Sequence, residues 1–259
     1  MRSVVVRPDD VWGTPDLRGG DFAAKHALPR IVPAFVSRPL GVFCVDTTEQ
    51  LLALTYDDGP HPEHTPRILD LLAERGKRAT FFVLGRQVAL HPEITARIVA
   101  EGHELALHGD DHQDLLTMNA NEAFRRIRDA KARVEDVAQR RVRTYRPPYG
   151  RHTLTQALGI RALGLDLVIW SGDAVDWLHD DESAIAARSL AGVFPGAILL
   201  LHDDRGDPET AQPGERLPEF DRAEVLRQVL DGIGDRGFEL ATVSDLMRDH
   251  TSVRSFVRY

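Results

Sequence analysis

The chain has a single cysteine, Cys44, among its 259 residues. That excludes an intramolecular disulfide and a zinc site of four thiolates, and leaves Cys44 to act as a small apolar residue in a strand. Long apolar runs are missing as well. Near the N-terminus the longest is Val4-Val5-Val6, well short of the roughly 7–15 apolar residues of a signal-peptide core. Nothing later approaches the roughly 18 needed to span a bilayer. The chain as it stands reads as cytoplasmic, with no membrane partner. Basic residues are outnumbered, 32 against 40 acidic ones, for a net charge of −8. A nucleic-acid binder needs a basic face to neutralise phosphates, so nucleic acid is not expected as a partner. No G-x-G-x-x-G follows the first strand-like run, so the dinucleotide-binding form of an α/β sheet is unsupported.

What is present is a rhythm. Residues 1–40 carry Pro and Gly without periodicity and read as an irregular N-terminal arm packed on the domain; residues 41–259 form the catalytic unit. "VFCV" (42–45) and "LLALT" (51–55) are predicted as two strands joined by a turn. From there short apolar runs alternate with amphipathic stretches, from "LLALTYDD" and "HTPRILDLLAERG" to "AILLLHDD" and "RAEVLRQVLDGIGDRG". A last run, "ELATVSDL", is predicted as a strand. Ile68, Leu71 and Leu72, and Leu226, Val229 and Leu230, follow helical spacing. Gly76, Gly102, Gly164 and Gly237 stand where left-handed C-caps are expected. Seven strand–helix units with near-continuous apolar strands predict an α/β fold with a parallel sheet. Asp57-Asp58, His108/His112, Arg146/Tyr149, Asp173/Asp176 and His202 each follow a different predicted strand. In a β/α barrel those ends converge on one face, where active sites are built.

"TYDDGPHP" (55–62) sets two adjacent carboxylates at a strand end before a Gly-Pro turn, so the two point apart and can divide roles. "LHGDDH" (107–112) holds two imidazoles four residues apart, a spacing that puts both on one side of a helical turn. A zincin needs Glu after the first His; Gly109 stands there. Two His and an Asp from elsewhere would leave a position open for water, as catalytic zinc requires. The alternative reading joins His108, Asp110 and His202 as an iron facial triad. That chemistry usually sits on an antiparallel sandwich, which the β/α rhythm contradicts. "YRPPYG" (145–150) locks Arg146 beside a stiff diproline, where a guanidinium can hold a carboxylate. "SGDAVDW" (171–177) and "LLLHD" (199–203) add an Asp-x-x-Asp-Trp loop and a strand-end histidine.

Taken in order, "TYDDGP", "HGDDH", "RPPYG", "DAVDW" and "LLLH" resemble the motifs of polysaccharide deacetylases of carbohydrate esterase family 4, which share the NodB homology domain. The likeness runs from about Val42 to about Leu246. It implies a TIM-like, distorted (β/α)7 barrel and metal-dependent hydrolysis of an N-acetyl amide on a sugar, commonly with Zn(2+), with Co(2+), Ni(2+) and Mn(2+) as other options. By the same likeness Asp58, His108 and His112 would bind the metal and Asp57 would be the general base, oriented by Arg146. The backbone N–H of Tyr149 would help hold the oxyanion. His202 would be the general acid, held by Asp176. Trp177, Leu199, Leu201 and Pro147 would contact substrate. The chain departs from the family at Gly109, where Ser or Thr is usual.

The implied partner is an N-acetylated carbohydrate, a polymer or a small sugar conjugate. The polar stretch 203–222 is longer than a usual connection and is predicted to lie at the mouth of the site as a lid or specificity loop. A cyclic amide or formamide hydrolase on the same barrel is the second reading. A carbohydrate-binding pseudoenzyme is disfavoured because every expected catalytic position is filled.

Overall fold

The computed structural model describes residues 2–5, 30–33, 37, 39–205 and 217–255. Its main sheet is a curled half-barrel of seven strands in the order β8-β7-β6-β5-β4-β10-β9, with every ladder along that path parallel. The strands are β4 (Leu51–Asp57), β5 (Thr80–Leu84), β6 (Glu104–Gly109), β7 (Thr144–Tyr145), β8 (Asp166–Leu167), β9 (Gly172–Asp173) and β10 (Ile198–His202). A short strand, β11 (Glu239–Leu240), joins the start of β4. β5 is buried at every position, as a strand covered on both faces must be. The covering helices are α1 (His64–Glu74), α2 (Gly85–Leu90), α3 (Pro92–Ala100), α4 (Ala120–Ala138), α5 (Leu154–Ala162), α6 (Glu182–Ala191) and α7 (Arg222–Asp235). Their apolar faces follow the sequence pattern: Ile68, Leu69 and Leu72 on α1, and Leu226, Val229, Leu230 and Ile233 on α7, are buried. Gly76, Gly102, Gly164 and Gly237 all take positive φ after helices, as expected.

A second sheet runs β2-β1-β12-β3, from β1 (Arg2–Val5), β2 (Arg30–Pro33), β3 (Gly41–Asp46) and β12 (Thr251–Ser255). Of the predicted arm, β1 and β2 lie in this sheet, while residues 6–29 fall outside the described residues. Buried Cys44 sits in β3. β3 does not ladder with β4 as a hairpin would; it pairs antiparallel with β12. Isolated bridges, Val42 to Val168 just after β8 and Cys44 to Ala197 just before β10, tie β3 to the curled sheet near its two edges. This is where the barrel departs from regular closure.

Two expectations are corrected, and one strand is new. "ELATVSDL" is mostly not strand: after β11, Thr242 accepts a hydrogen bond from the Asp245 N–H and caps α8 (Val243–Asp249). "LDLVIWSGDAVDW", expected as one apolar run before the helix of "DESAIAARSLAG", is two short strands, β8 and β9, at opposite ends of the curled sheet. β12 carries no strong alternation and went unpredicted. No helix among the described residues is long and apolar enough to cross a membrane.

Candidate active site

The predicted polar groups meet at the C-terminal ends of the parallel strands, in a cleft of about 430 Å³. Asp57 is the last residue of β4; Asp58, one step on, takes φ 82. That left-handed turn, which Asp tolerates better than most residues, sends the two carboxylates apart. Asp57 Oδ1 accepts from Arg146 Nη1 at 2.6 Å, while its Oδ2 lies 3.7 Å from His108 Nε2. Asp58 Oδ1 lies 3.3 Å from His108 Nε2 and 3.5 Å from His112 Nε2. Burial favours protonated Asp58, but His112, His108 and His202 outweigh it and hold its carboxyl well below the usual range.

Asp58, His108 and His112 are the one His/Asp group among the described residues spaced to hold a metal ion, their donor atoms all within 4.8 Å of one another. The donor chemistry fits. His108 Nδ1 lies 2.8 Å from the Arg146 carbonyl, which can only accept, so the proton sits on Nδ1 and the Nε2 lone pair faces the cluster. The histidines do not share a helical turn as predicted. His108 is inside β6 and His112 follows in an irregular bend, since the strand runs through the first imidazole.

The remaining polar residues of "LHGDDH" serve the scaffold. Asp110 pairs with Arg133 and Asp111 with Arg126, both on α4, at 3.0 and 2.7 Å. Asp110 is therefore spent outside the His108–His202 cleft, and the iron triad is not assembled. Gly109 has φ 127, and a Cβ there would stand 2.9 Å from the Asp111 carbonyl oxygen. Gly109→Ser, which restores the usual family residue, is expected to destabilise the fold by about 1–3 kcal/mol. Thermal denaturation measures this; an unchanged or raised Tm would contradict the strain.

Arg146 is fully buried and divides its donors among Asp57, the Thr55 hydroxyl and the Ile169 carbonyl, with Phe82 stacked 4.0 Å from the guanidinium. Burial lowers its pKa, and Asp57 opposes that only in part. Across the cleft, His202 Nδ1 is 2.6 Å from Asp176 Oδ1, and the His202 N–H donates to Asp176 Oδ2 at 2.8 Å. Burial opposes a charge on His202, but Asp176, with Asp58 and Asp57 behind it, raises its pKa to about 10. The loop before Asp176 is strained: Val175, β-branched, has φ 54, held by a bond from its N–H to Asp173 Oδ1. Asp173 also lines the cleft, its pKa raised by burial.

Tyr149, in a left-handed conformation at φ 58, and Trp177 stand at the cleft about half exposed. Leu199, Leu201 and Pro147 do not line it. β10 alternates its faces: Leu200 and His202 face the cleft, while Leu199 and Leu201 join the main core. Counting by two from His202 would have found Leu200. Pro147 is the buried first residue of the diproline. The sequence reading also missed Trp170 and Arg151, and gave no individual role to Asp203 and Arg222, the two ends of the 203–222 stretch. Asp203 is buried against Gly59 and accepts from the Thr65 hydroxyl; burial raises its pKa to about 7. Of the predicted loop 203–222, Asp204, Arg205, Pro218 and Arg222 line the cleft, and residues 206–216 lie outside the described residues.

Comparison with known proteins agrees with this geometry. The polysaccharide deacetylase family model matches residues 45–168. A chitooligosaccharide deacetylase of Bradyrhizobium sp. (strain ANU 289) is 35% identical over 194 residues, covering 74% of this chain and 89% of the relative. The chain belongs to the polysaccharide deacetylase family. The peptidoglycan-N-acetylglucosamine deacetylase PgdA of Listeria monocytogenes is 36% identical over 199 residues; the match spans only 39% of that longer protein. The Bc1960 peptidoglycan N-acetylglucosamine deacetylase superposes with a TM-score of 0.72 at 29% identity, over 83% of this chain and 96% of that one. Deacetylases of this family are hydrolases of amide C–N bonds that depend on a metal, and the Asp58-His108-His112 group occupies the matched region.

Proposed function

We propose that this protein removes N-acetyl groups from an N-acetylated glucosamine oligomer or conjugate, with Zn(2+) held by Asp58, His108 and His112. The observation that carries the reading is the convergence in one cleft of three parts: the ligand cluster, the Asp57–Arg146 pair and the His202–Asp176 pair. The names of the relatives support the substrate class. The ion, when bound, supplies Lewis-acid polarisation of the amide carbonyl and acidifies a water.

The chain's own groups do the rest. Asp57 takes the water's proton through Oδ2, the oxygen that Arg146 leaves turned toward His108. Arg146 keeps that carboxylate fixed. The Tyr149 N–H helps hold the oxyanion, one of the donors whose loss typically costs about 2.7–4 kcal/mol. His202 gives a proton to the leaving amine, and Asp176 fixes its ring with Nδ1 protonated, so Nε2 delivers. Leu200, not Leu199 or Leu201, faces the acetyl group together with Trp177. Tyr149 and Trp177 offer rings to the sugar face.

The histidine's raised pKa has a sign. It is above the ordinary 6.5 in the folded state, so the pair's contribution to stability is complete below about pH 6.5 and is lost as pH climbs through about 10. Asp176→Asn is expected to remove this dependence and to move the alkaline limb of kcat down by more than one pH unit, about the weight of one nearby charge. A pH–rate profile with the limb unmoved would show that Asp176 does not set the acid.

Acetate release across N-acetylglucosamine oligomers, monosaccharide conjugates and peptidoglycan fragments tests the whole reading. Release from none of them by the zinc- or cobalt-loaded protein would transfer it to cyclic amides or formamides. Asp110, bound to Arg133, leaves nothing in favour of an iron oxygenase.

A further inference from the structure

Arg222 closes the polar stretch 203–222 and borders the cleft without an individual role assigned from the sequence, yet it touches both ends of the proposed acid. It is the first residue of α7 and almost fully buried. Its Nη1 donates to the His202 carbonyl at 2.8 Å and lies 3.5 Å from Asp176 Oδ2. That Oδ2 is the oxygen which also takes the His202 N–H, while Oδ1 takes the ring. One guanidinium thus holds the backbone of the histidine and the carboxylate that orients its imidazole.

Its own seat is built. The guanidinium stacks 4.6 Å from the Phe220 ring. Asp221, just before it, caps α7 through the Ala223 and Glu224 N–H groups, is gripped by Arg67 at 2.6 Å, and donates its own N–H to Glu182 at the start of α6. Burying an arginine is costly unless its partners are well placed. A capped helix start and an aromatic shelf place it against two specific oxygens rather than toward solvent.

We propose that Arg222 is a positioning residue: it fixes Asp176 and the end of β10 so that the His202 ring presents Nε2 to the leaving nitrogen. The inference rests on His202 being the general acid. Removing Arg222 leaves Asp176 Oδ2 with the His202 N–H alone, frees the carboxylate to rotate, and loosens the ring it orients. The ligand cluster is untouched. The loss therefore falls on proton delivery and not on metal content; Arg222 borders the cleft, but its Nη1 is turned to the His202 carbonyl and Asp176, so substrate affinity should change little.

The test compares metal-loaded full-length wild type, Arg222→Met and Arg222→Lys. For Arg222→Met, kcat for N-acetylglucosamine oligomers is expected to fall about 10- to 100-fold, by analogy with the loss seen when the partner that orients a metal-bound histidine is removed. KM should stay within about threefold, placing the loss in the transition state. Arg222→Lys, which keeps the charge and one donor, should recover most of the rate. In ¹⁵N-histidine spectra the downfield proton of the His202 Nδ1 bond should be present in wild type and Arg222→Lys and shifted or lost in Arg222→Met. A kcat for Arg222→Met within twofold of wild type, a loss confined to KM, or an unmoved proton signal would each overturn the proposal. If the methionine variant does not fold, Arg222→Gln is read against the same outcomes. If wild type releases no acetate, the deacetylase reading has failed, and the proton signal alone decides the role of Arg222.

Discussion

Asp57→Asn is expected to lower kcat by about 10²–10⁴-fold, the usual share of a general base, while metal content stays equal to wild type. Asparagine has the same shape and can still accept from Arg146 through Oδ1, but it cannot take a proton. None of the three proposed ligand side chains is altered. The same change leaves Arg146, which has no exposed surface, without its counter-charge. Breaking a buried ion pair by removing one partner costs about 3–5 kcal/mol. The loss here should fall below that range, because the Thr55 hydroxyl and the Ile169 carbonyl still accept from the guanidinium. Turnover must therefore be measured well below the variant's Tm. A variant within tenfold of wild type would remove Asp57 from the role of base. One that loses the metal would make it a ligand.

His112→Ala is expected to cost at least about 10³-fold in activity, since several kcal/mol of transition-state stabilisation depends on the bound ion. His112 supplies one of three donors and sits 3.5 Å from Asp58 Oδ1. It is the least buried of the three ligand side chains, and it packs edge-on against Tyr149 with ring centroids 4.4 Å apart. The fold should survive its truncation better than that of His108, which is locked to the Arg146 carbonyl. Excess zinc should restore part of the rate, because Asp58 and His108 remain. Zinc binding and turnover measured on the same sample check this. Full activity with undiminished metal affinity would place the ion elsewhere.

The sequence made the fold legible where periodicity was strong. The apolar runs of β4, β5, β6 and β10 and the amphipathic stretches of α1 and α7 each carry a period that one packing arrangement satisfies. It failed where a short side-chain bond decides the backbone, as at Thr242, whose cap turns "VSDL" into helix. β12 depends on partners far away in the chain, β1 and β3, and no local pattern announces it. In the site, the grouping of Asp57, Asp58, His108, His112, Arg146, Asp176 and His202 at strand ends could be read, because parallel strands bring their C-terminal ends together. What could not be read was which way neighbours face. Leu200 rather than Leu199 or Leu201 follows from the strand's phase. Asp110 and Asp111 turn to α4 because Arg133 and Arg126, seven residues apart there, await them. Arg222 reaches His202 from the far end of a connection whose sequence gives no sign of where it returns.

The central claim is that a metal at Asp58, His108 and His112 drives removal of an acetyl group from a sugar amide. It is tested most directly by stripping the protein with a chelator and adding zinc back while acetate release from N-acetylglucosamine oligomers is followed. Acetate release should vanish on stripping and return in proportion to zinc, saturating at one ion per chain, and fail to return in His108→Ala. Release that persists in the stripped protein, or that returns equally in His108→Ala, would contradict the account.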